Sequence, residues 1–233
     1  MITCQHQFPA SIACVNPRPR CTLPLPYLPR FRSLAPMSND LKNIVVFCAS
    51  SSGNDPAFVE AARDLGSTLA ARGCTLIYGG GKVGLMGTVA DAVMTGGGRV
   101  VGIIPHGLEQ REVAHRGVSE LVVVNSMHER KKQMAERADA FVALPGGYGT
   151  MEEIMEVITW AQLGIHRCPC AFLNVAGYYD AFFTFLDHAC ESGLLKKEYR
   201  EMILVENEID RLFDSIAAYE SPIKDQWIEL PES

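Results

Sequence analysis

Short runs of apolar residues alternate along the chain with longer segments. In these segments the apolar positions repeat with helical spacing. The first run, residues 43–48 (NIVVFC), is continuously apolar, which is typical of a strand buried on both faces of a sheet. The next segment is predicted to be a helix, because Pro56 suits a first turn and Gly73 lies just past the end. The same reasoning predicts strands at residues 43–48, 75–78, 99–104, 121–124, 140–144, 170–173 and 202–205. It predicts helices at residues 56–72, from the second glycine loop through 95, and at 127–138, 151–163, 179–191 and 210–219.

Strands that alternate with helices predict an α/β fold with right-handed crossovers, and therefore a Rossmann-like, doubly wound parallel sheet. No internal repeat or second linker interrupts residues 42–233, so we expect a single domain there. Ligands of such sheets bind beyond the carboxyl ends of the strands. The loops that directly follow the strands are therefore the candidates for a functional site.

Residues 1–41 form an N-terminal extension with a different composition. Its first 39 residues contain seven of the 13 prolines, four arginines and no aspartate or glutamate. The apolar residues there show no period, so we expect a disordered segment that cannot bury enough surface to offset its ordering entropy. Two interpretations remain open. The segment is either an extension before a start at Met37 or an organellar transit peptide, for which an arginine-rich, acid-free composition is typical.

The overall composition excludes several classes of protein. Of the 233 residues, 48% are hydrophobic and 21% are charged. This length and hydrophobic content are enough to form one full core. No window reaches the roughly 18 uninterrupted apolar residues of a membrane helix, and a net charge of −6 provides no basic field for nucleic acid. The eight cysteines form no Cys-x-x-Cys pair, and Lys132 stands where a zinc-binding His128-Glu129-x-x-His motif needs its second histidine. We therefore predict no metal site, reduced thiols and a cytoplasmic protein, or an organellar one if the extension is a transit peptide.

Three loops that follow predicted strands are rich in glycine or serine. The first contains Ser50 among small and hydroxyl residues, which either suit an anion or simply cap the next helix. The second, residues 79–87 (GGGKVGLMG), includes Gly80 and Gly81 and matches G-x-G-x-x-G, but the acidic residue that holds a dinucleotide's ribose is missing after the next strand. The third, residues 145–150 (PGGYGT), opens a helix whose N-terminal N–H groups favour an anion. Two glycine loops of this kind favour a nucleotide or phosphate site over structural turns.

Charged residues beside these loops are the candidates for chemistry. Glu153 follows Thr150 by three residues, so it either completes a capping box or faces a ligand in the glycine loop. On the wheel of the third predicted helix, Lys131 falls inside the buried stripe and Arg130 at its border. Inward cations are costly unless they are paired, so a bound anion or the Glu153 carboxylate is expected beside them. Glu152 and Glu153 diverge by about 100° on a helix, so they cannot flank one bond as a glycosidase pair does.

The segment PGGYGTMEE at residues 145–153 resembles the PGGxGTxxE signature of the LONELY GUY family of cytokinin-activating phosphoribohydrolases. The resemblance covers about residues 43–227 and includes the segments VFCASS, YGGGKVGLMG, MHERK and VITWAQLG. It implies a Rossmann-like homodimer that cleaves an N6-modified adenosine 5′-monophosphate into the free base and ribose 5-phosphate, without a metal or redox cofactor. It also implies that Arg130 and Glu153 are the catalytic pair. The implied substrate contacts are Glu112, Lys131, Gly147, Tyr148, Gly149, Thr150, Met151, Glu152 and Thr159, to which the loop analysis adds Ser50, Gly80 and Gly81.

The sequence leaves other functions open. Residues 114–117 (AHRG) differ from the plant members of the family, on the side of the site expected to hold the base. A non-catalytic nucleotide or cofactor carrier on the same fold is one alternative, and a broader hydrolase of AMP is another. A decarboxylase that uses pyridoxal phosphate is discounted, because no lysine is singled out for the Schiff base.

Overall fold

A computed structural model describes Pro29, residues 41–109 and residues 113–223. The predicted disorder of the N-terminal extension falls on residues 1–28 and 30–40, which lie outside the described residues, and so does Glu112.

The described part of the chain forms a seven-stranded sheet in the order β4-β3-β2-β1-β5-β6-β7, and every neighbouring pair is parallel. The strands are β1 (Asn43–Phe47), β2 (Thr75–Tyr78), β3 (Val100–Pro105), β4 (Glu120–Val124), β5 (Ala140–Ala143), β6 (Cys170–Leu173) and β7 (Ile203–Glu206). Each predicted strand is present, with its limits shifted by no more than one residue. The prediction of a Rossmann-like α/β fold is therefore confirmed.

Helices cover both faces of the sheet. They are α1 (Pro56–Ala71), α2 (Gly84–Thr95), α3 (Met127–Arg137), α4 (Tyr148–Gln162), α5 (Asp180–Glu191), α6 (Lys197–Arg200) and α7 (Ile209–Ala217). Apolar side chains of α1, α2 and α7 form one core with the sheet, and those of α3, α4 and α5 form a second core on the opposite face. Across the ranges that the structure describes, no helix is both long and apolar enough to cross a membrane.

The strand order places a switch point between β1 and β5. From β1 the chain moves outward through β2, β3 and β4 on one side, and through β5, β6 and β7 on the other. The loops that leave β1 and β5 therefore diverge, and a crevice opens between them, which is where doubly wound sheets bind ligands. The two loops contact each other at one hydrogen bond, in which the Ala49 N–H donates to the Pro145 carbonyl at 3.2 Å.

The start of α4 differs from the prediction. The sequence predicts a helix from residue 151 with Thr150 as its cap, whereas α4 begins at Tyr148 with Gly147 at the N-cap position and no side-chain cap. Thr150 therefore lies inside the first turn, and the capping box that would give Glu153 a purely structural role is not formed. The prediction also lacks the short helix α6 and a 3-10 turn at Val175–Gly177, because elements of three or four residues carry too little periodicity to recognise.

A buried histidine closes the connection from α4 to β6. The His166 side chain is fully buried, its Nε2–H donates to the Val157 carbonyl at 2.7 Å, and Nδ1 accepts from the Cys168 N–H at 3.1 Å. Burial lowers the pKa of His166 to about 4, although the hydrogen bond to Val157 acts in the opposite direction. The native state therefore holds a neutral ring at neutral pH.

We expect His166 to make the protein less stable as the pH falls from about 6.5 to about 4. In that window the unfolded chain binds a proton that the folded state excludes, so the free energy of unfolding decreases by about 3 kcal/mol in total. The measurement is urea unfolding of the wild type and of His166→Gln, which cannot titrate, at pH 7, 5.5 and 4.5. The difference between the two proteins should shift by this amount, and a difference that stays constant with pH contradicts the assignment.

Candidate active site

A cavity of about 380 Å³ opens at the switch point, between the loops that follow β1 and β5. The loop after β2, the first turn of α3 and the first turn of α4 complete its wall. Its described lining residues are Val46, Phe47, Cys48, Ala49, Ser50, Ser51, Gly79, Met86, Leu108, Met127, Arg130, Gly147, Tyr148, Gly149, Thr150, Glu152 and Glu153. Most of the predicted site residues are thus brought together in one crevice.

A buried ion pair lies in the cavity wall. Nη2 of Arg130, from the first turn of α3, is 3.6 Å from Oε1 of Glu153, from the second turn of α4. Their side chains are only 6% and 10% exposed. The distance is longer than that of a good hydrogen bond, so the two groups compensate each other's charge while keeping donor and acceptor capacity for a ligand.

The Arg130 guanidinium is held with one donor unused. Nη1 contacts the Met127 sulfur at 3.7 Å, whereas Nε is buried and finds no hydrogen-bond acceptor among the described residues. Leaving a buried charged donor unsatisfied is costly, so an acceptor from outside the described protein is expected here. This donor is an observation in the protein itself that points to a bound polar ligand.

Gly79 provides the space for this guanidinium. A Cβ atom at position 79 would collide with Nη2 of Arg130. Gly79 follows β2 directly, so a glycine of the second loop contributes to the site through its missing side chain. From the sequence, its neighbours Gly80 and Gly81 are predicted to make the contribution of this loop instead.

Gly80 and Gly81 lie outside the described cavity wall. The Gly80 carbonyl accepts from the His115 N–H at 2.8 Å, and Gly81 forms an isolated antiparallel bridge with Ala114. These backbone groups therefore join the second loop to the segment after residue 112. These contacts join residues that are far apart in the chain, so the local pattern of glycines does not predict them.

The N-terminus of α2 is also occupied by the protein itself. The N–H groups of Leu85 and Met86 donate to the carbonyls of Ser51 and Ala49, each at 3.3 Å. Gly84 permits this close approach, because a Cβ atom there would collide with the Ser50 backbone. The second loop thus supports the first loop, and Ser50 and Ser51 line the cavity from that position.

The N-terminus of α4, in contrast, faces the cavity. Its first intrahelical bond runs from the Met151 N–H to the Gly147 carbonyl at 3.0 Å, so the N–H groups of Tyr148, Gly149 and Thr150 precede the helical ladder. These N–H groups and the positive end of the helix dipole favour an anion. Gly147, Tyr148, Gly149 and Thr150 all line the cavity, as the sequence predicts.

Lys131 is engaged by the neighbouring helix. Its Nζ lies 2.5 Å from Oε1 of Glu152 and 3.1 Å from Oε1 of Glu156, both on α4. Burial acts to lower the pKa of Lys131, but the hydrogen bonds to these carboxylates outweigh it and raise the pKa above its usual value. The prediction that an inward cation needs a partner is fulfilled by a carboxylate for both Arg130 and Lys131.

Two other predicted contacts lie away from the described wall. Thr159 is exposed on α4, and its hydroxyl donates to the Met155 carbonyl at 2.7 Å. Met151 is half-buried and packs against the core of the α3–α5 face.

Cys48 is a cavity residue whose position the sequence reasoning missed. It follows β1 directly, is 8% exposed and lies close to the Arg130–Glu153 pair. Burial, followed by the Glu153 charge, raises its pKa, while Arg130 opposes the shift, so the group is a neutral thiol. Its place at the carboxyl end of a strand is the signal that could have indicated it.

The fold and the cavity define an α/β protein with a cavity at the switch point of its sheet and a buried arginine–glutamate pair in the cavity wall. A protein-family model described as "possible lysine decarboxylase" matches residues 86–216. The cytokinin riboside 5′-monophosphate phosphoribohydrolase LOG7 of Arabidopsis thaliana is 50% identical over 179 residues, which cover 77% of this chain and 82% of that protein. The rice enzyme LOG is 51% identical over 163 residues, which cover 70% and 67% of the two chains. The chain belongs to this family, the LONELY GUY family.

Solved structures share the fold at low identity. The molybdenum cofactor carrier protein of Chlamydomonas reinhardtii gives a TM-score of 0.55 at 20% identity, covering 76% of this chain and 96% of that chain. The molybdenum cofactor binding protein of Rippkaea orientalis gives a TM-score of 0.58 at 18% identity, covering 75% and 95%. These similarities support the fold alone.

We expect Gly79→Ala to weaken nucleotide binding. The new methyl group displaces the Arg130 guanidinium, and the loss of one charge-assisted hydrogen bond should lower the affinity about tenfold or more. The measurement is the affinity for AMP by calorimetry, with circular dichroism to verify folding. Gly107→Ala is the matched control, because a Cβ atom there meets nothing within 4 Å. Equal AMP affinity in Gly79→Ala and the wild type would show that Gly79 does not position Arg130.

Proposed function

We propose that the protein hydrolyses the N-glycosidic bond of an N6-modified adenosine 5′-monophosphate, a cytokinin riboside monophosphate, and releases the free base and ribose 5-phosphate. The observation that carries the proposal is the buried Arg130–Glu153 pair beside an α4 N-terminus that faces the same cavity. The names and about 50% identity of the plant relatives support the choice of substrate. The cavity volume of about 380 Å³ falls within the range of roughly 300–1,000 Å³ of small-molecule sites.

The 5′-phosphate is placed at the start of α4 in this proposal. The N–H groups of Tyr148, Gly149 and Thr150 donate to phosphate oxygens, and the helix dipole adds attraction. Ser50 and Ser51 face this point from the loop after β1 and offer hydroxyl donors. The ribose then lies against Glu153, five residues beyond the start of the helix.

Glu153 stabilises the bond cleavage electrostatically. As the bond between the sugar C1′ and the base nitrogen lengthens, positive charge develops on the ribose ring, and the buried carboxylate favours that charge. Water adds its oxygen to C1′ and gives one proton to Glu153, while the base nitrogen leaves with the bonding electrons and takes a proton from solvent; Glu153 then returns its proton to solvent. Arg130 orients Glu153 through the attraction between the two buried side chains.

One carboxylate suffices for this mechanism. Glu152, adjacent to Glu153, points to Lys131 instead, as expected for neighbours that diverge by about 100° on a helix. The reaction therefore differs from that of glycosidases in which two carboxylates flank the bond.

The family description as a possible lysine decarboxylase has little support from the site. Decarboxylation with pyridoxal phosphate needs a lysine that forms a Schiff base in the cavity. Within the described wall there is no lysine, and the nearby Lys131 is bonded to Glu152 and Glu156.

Glu153→Gln should retain nucleotide binding and lose turnover. The amide keeps the shape of the side chain but cannot stabilise the cationic sugar, so we expect kcat to fall about a hundredfold or more. The assay incubates the enzyme with N6-isopentenyladenosine 5′-monophosphate and quantifies free base and ribose 5-phosphate by chromatography. Glu60→Gln, at an exposed position of α1, is the control and should match the wild type.

The same assay separates the alternatives. Wild-type protein that binds the nucleotide but releases no base is a carrier, and the proposal is then wrong. Equal release from AMP and from its N6-prenylated form indicates a broader AMP hydrolase. Wild-type turnover in Glu153→Gln removes the role assigned to this carboxylate.

We also propose that the protein is a homodimer, as the family resemblance implies. Large exposed side chains beside the cavity support an interface, since Tyr148 is 97% exposed and Met127 is 39% exposed. Light scattering after gel filtration should give twice the mass of the chain at micromolar concentration. A mass equal to one chain contradicts the proposal.

A cytoplasmic location is proposed for the protein, with an organelle as the alternative if residues 1–41 act as a transit peptide. Fluorescent fusions with and without residues 1–41 distinguish the two locations.

A further inference from the structure

Two tyrosines between β6 and α5 hold the loop that joins β5 to α4. The Tyr178 hydroxyl donates to the Gly146 carbonyl at 2.9 Å, and the Tyr179 hydroxyl donates to the Leu144 carbonyl at 2.7 Å. The carbonyl between these two accepts from the loop after β1. Three consecutive carbonyls are thus bonded to neighbouring elements, and none of the three residues that carry them belongs to the described cavity wall.

The bond from Tyr178 fixes the orientation of the peptide between Gly146 and Gly147. A trans peptide is planar, and its C=O and N–H groups point in opposite directions. Because the Gly146 carbonyl points to Tyr178, the Gly147 N–H points away from it, and Gly147 lines the cavity. This N–H finds no acceptor among the described residues, so it is available to a ligand.

Glycine on both sides leaves this peptide free to turn over. A flip changes ψ of Gly146 and φ of Gly147, and glycine accepts the conformations on either side of such a change. Glycine is nevertheless needed at position 146, because a Cβ atom there would collide with the Thr150 side chain. A flipped peptide would present a carbonyl oxygen to the cavity in place of an N–H, and the hydrogen bond from Tyr178 opposes that flip.

Tyr178 is itself held by contacts that do not involve its hydroxyl. Its N–H donates to the Val175 carbonyl at 3.0 Å. Its ring meets the rings of Phe58 and Tyr179 edge to face, with centroids 5.4 Å and 4.9 Å away. These contacts remain when only the hydroxyl is removed, so Tyr178→Phe isolates the bond to Gly146.

We propose that Tyr178 is a positioning residue whose hydroxyl keeps the Gly147 N–H directed to the cavity, where it adds a donor to those at the start of α4. The inference rests on the proposed function, because it assigns this donor to the nucleotide's 5′-phosphate. Tyr179 has a different role. The Leu144 carbonyl that it binds belongs to a peptide with proline, which has no N–H to direct, so Tyr179 anchors the loop without orienting a donor.

Tyr178→Phe should weaken the binding of the phosphate and leave the binding of the base unchanged. We expect KM for N6-isopentenyladenosine 5′-monophosphate to rise about tenfold, the order of one hydrogen bond to a charged group, with kcat within about threefold. The inhibition constant of ribose 5-phosphate should rise by the same factor. The inhibition constant of free N6-isopentenyladenine should stay within about twofold, because that product carries no phosphate.

Tyr179→Phe is the matched control. Tyr179 is 2% exposed and Tyr178 is 44% exposed, so the loss of the Tyr179 hydroxyl should lower the urea midpoint more. Its KM should stay within about twofold of the wild type. Three results overturn the inference: an unchanged KM in Tyr178→Phe, an equal weakening of ribose 5-phosphate and free base in that variant, or an equal rise of KM in Tyr179→Phe.

The failure of this inference can be distinguished from the failure of the proposed function. A wild type that releases no base refutes the proposed hydrolysis. Dissociation constants of AMP, ribose 5-phosphate and adenine, measured by calorimetry, then replace KM and the inhibition constants. Weaker binding of the two phosphate compounds alone in Tyr178→Phe still supports the positioning role, and unchanged binding overturns it.

Discussion

The ion pair between Arg130 and Glu153 is the interaction on which the site depends. Arg130 lies in the first turn of α3 and Glu153 in the second turn of α4, the helices that precede and follow β5 and share one core. Burying either charge alone would be strongly destabilising, so each group requires the other. At 3.6 Å the pair is electrostatically compensated without being closed by a short hydrogen bond, and the Arg130 Nε–H remains for a ligand.

The two glycine-rich loops have similar sequences and different tasks. After β5, Gly147 leaves the N-terminus of α4 without a side-chain cap, so N–H groups face the cavity. After β2, the first N–H groups of α2 are used by carbonyls of the loop after β1, and Gly79 leaves space for Arg130. The first arrangement favours an anion, and the second supports the cavity wall. Both depend on the same property, the close approach that a missing Cβ allows.

Opposite charges are layered from the cavity outward. Arg130, Glu153 and Glu152 line the cavity, and Lys131 forms ion pairs with Glu152 and Glu156 on α4. The local field at the cavity therefore differs from the overall net charge of −6. The matching family model is described as a possible lysine decarboxylase, a reaction that with pyridoxal phosphate needs a lysine in the site. The described cavity wall contains no lysine, so its residues support a hydrolase better than a decarboxylase.

The sequence by itself determined the fold. Continuous apolar runs separated by helical periodicity correspond to all seven strands, since burial on both faces of a parallel sheet leaves a direct trace in composition. It also indicated Arg130, a cation at the border of a buried stripe, and Glu153, a carboxylate beside a glycine loop, and the family resemblance implied that the two form a pair. Tertiary structure decided what periodicity does not record: α4 begins three residues before its predicted start, Gly80 and Gly81 pair with a distant segment, and Lys131 binds Glu152. These outcomes depend on contacts between residues far apart in the chain, and the local sequence around each residue does not show which distant residues it will contact.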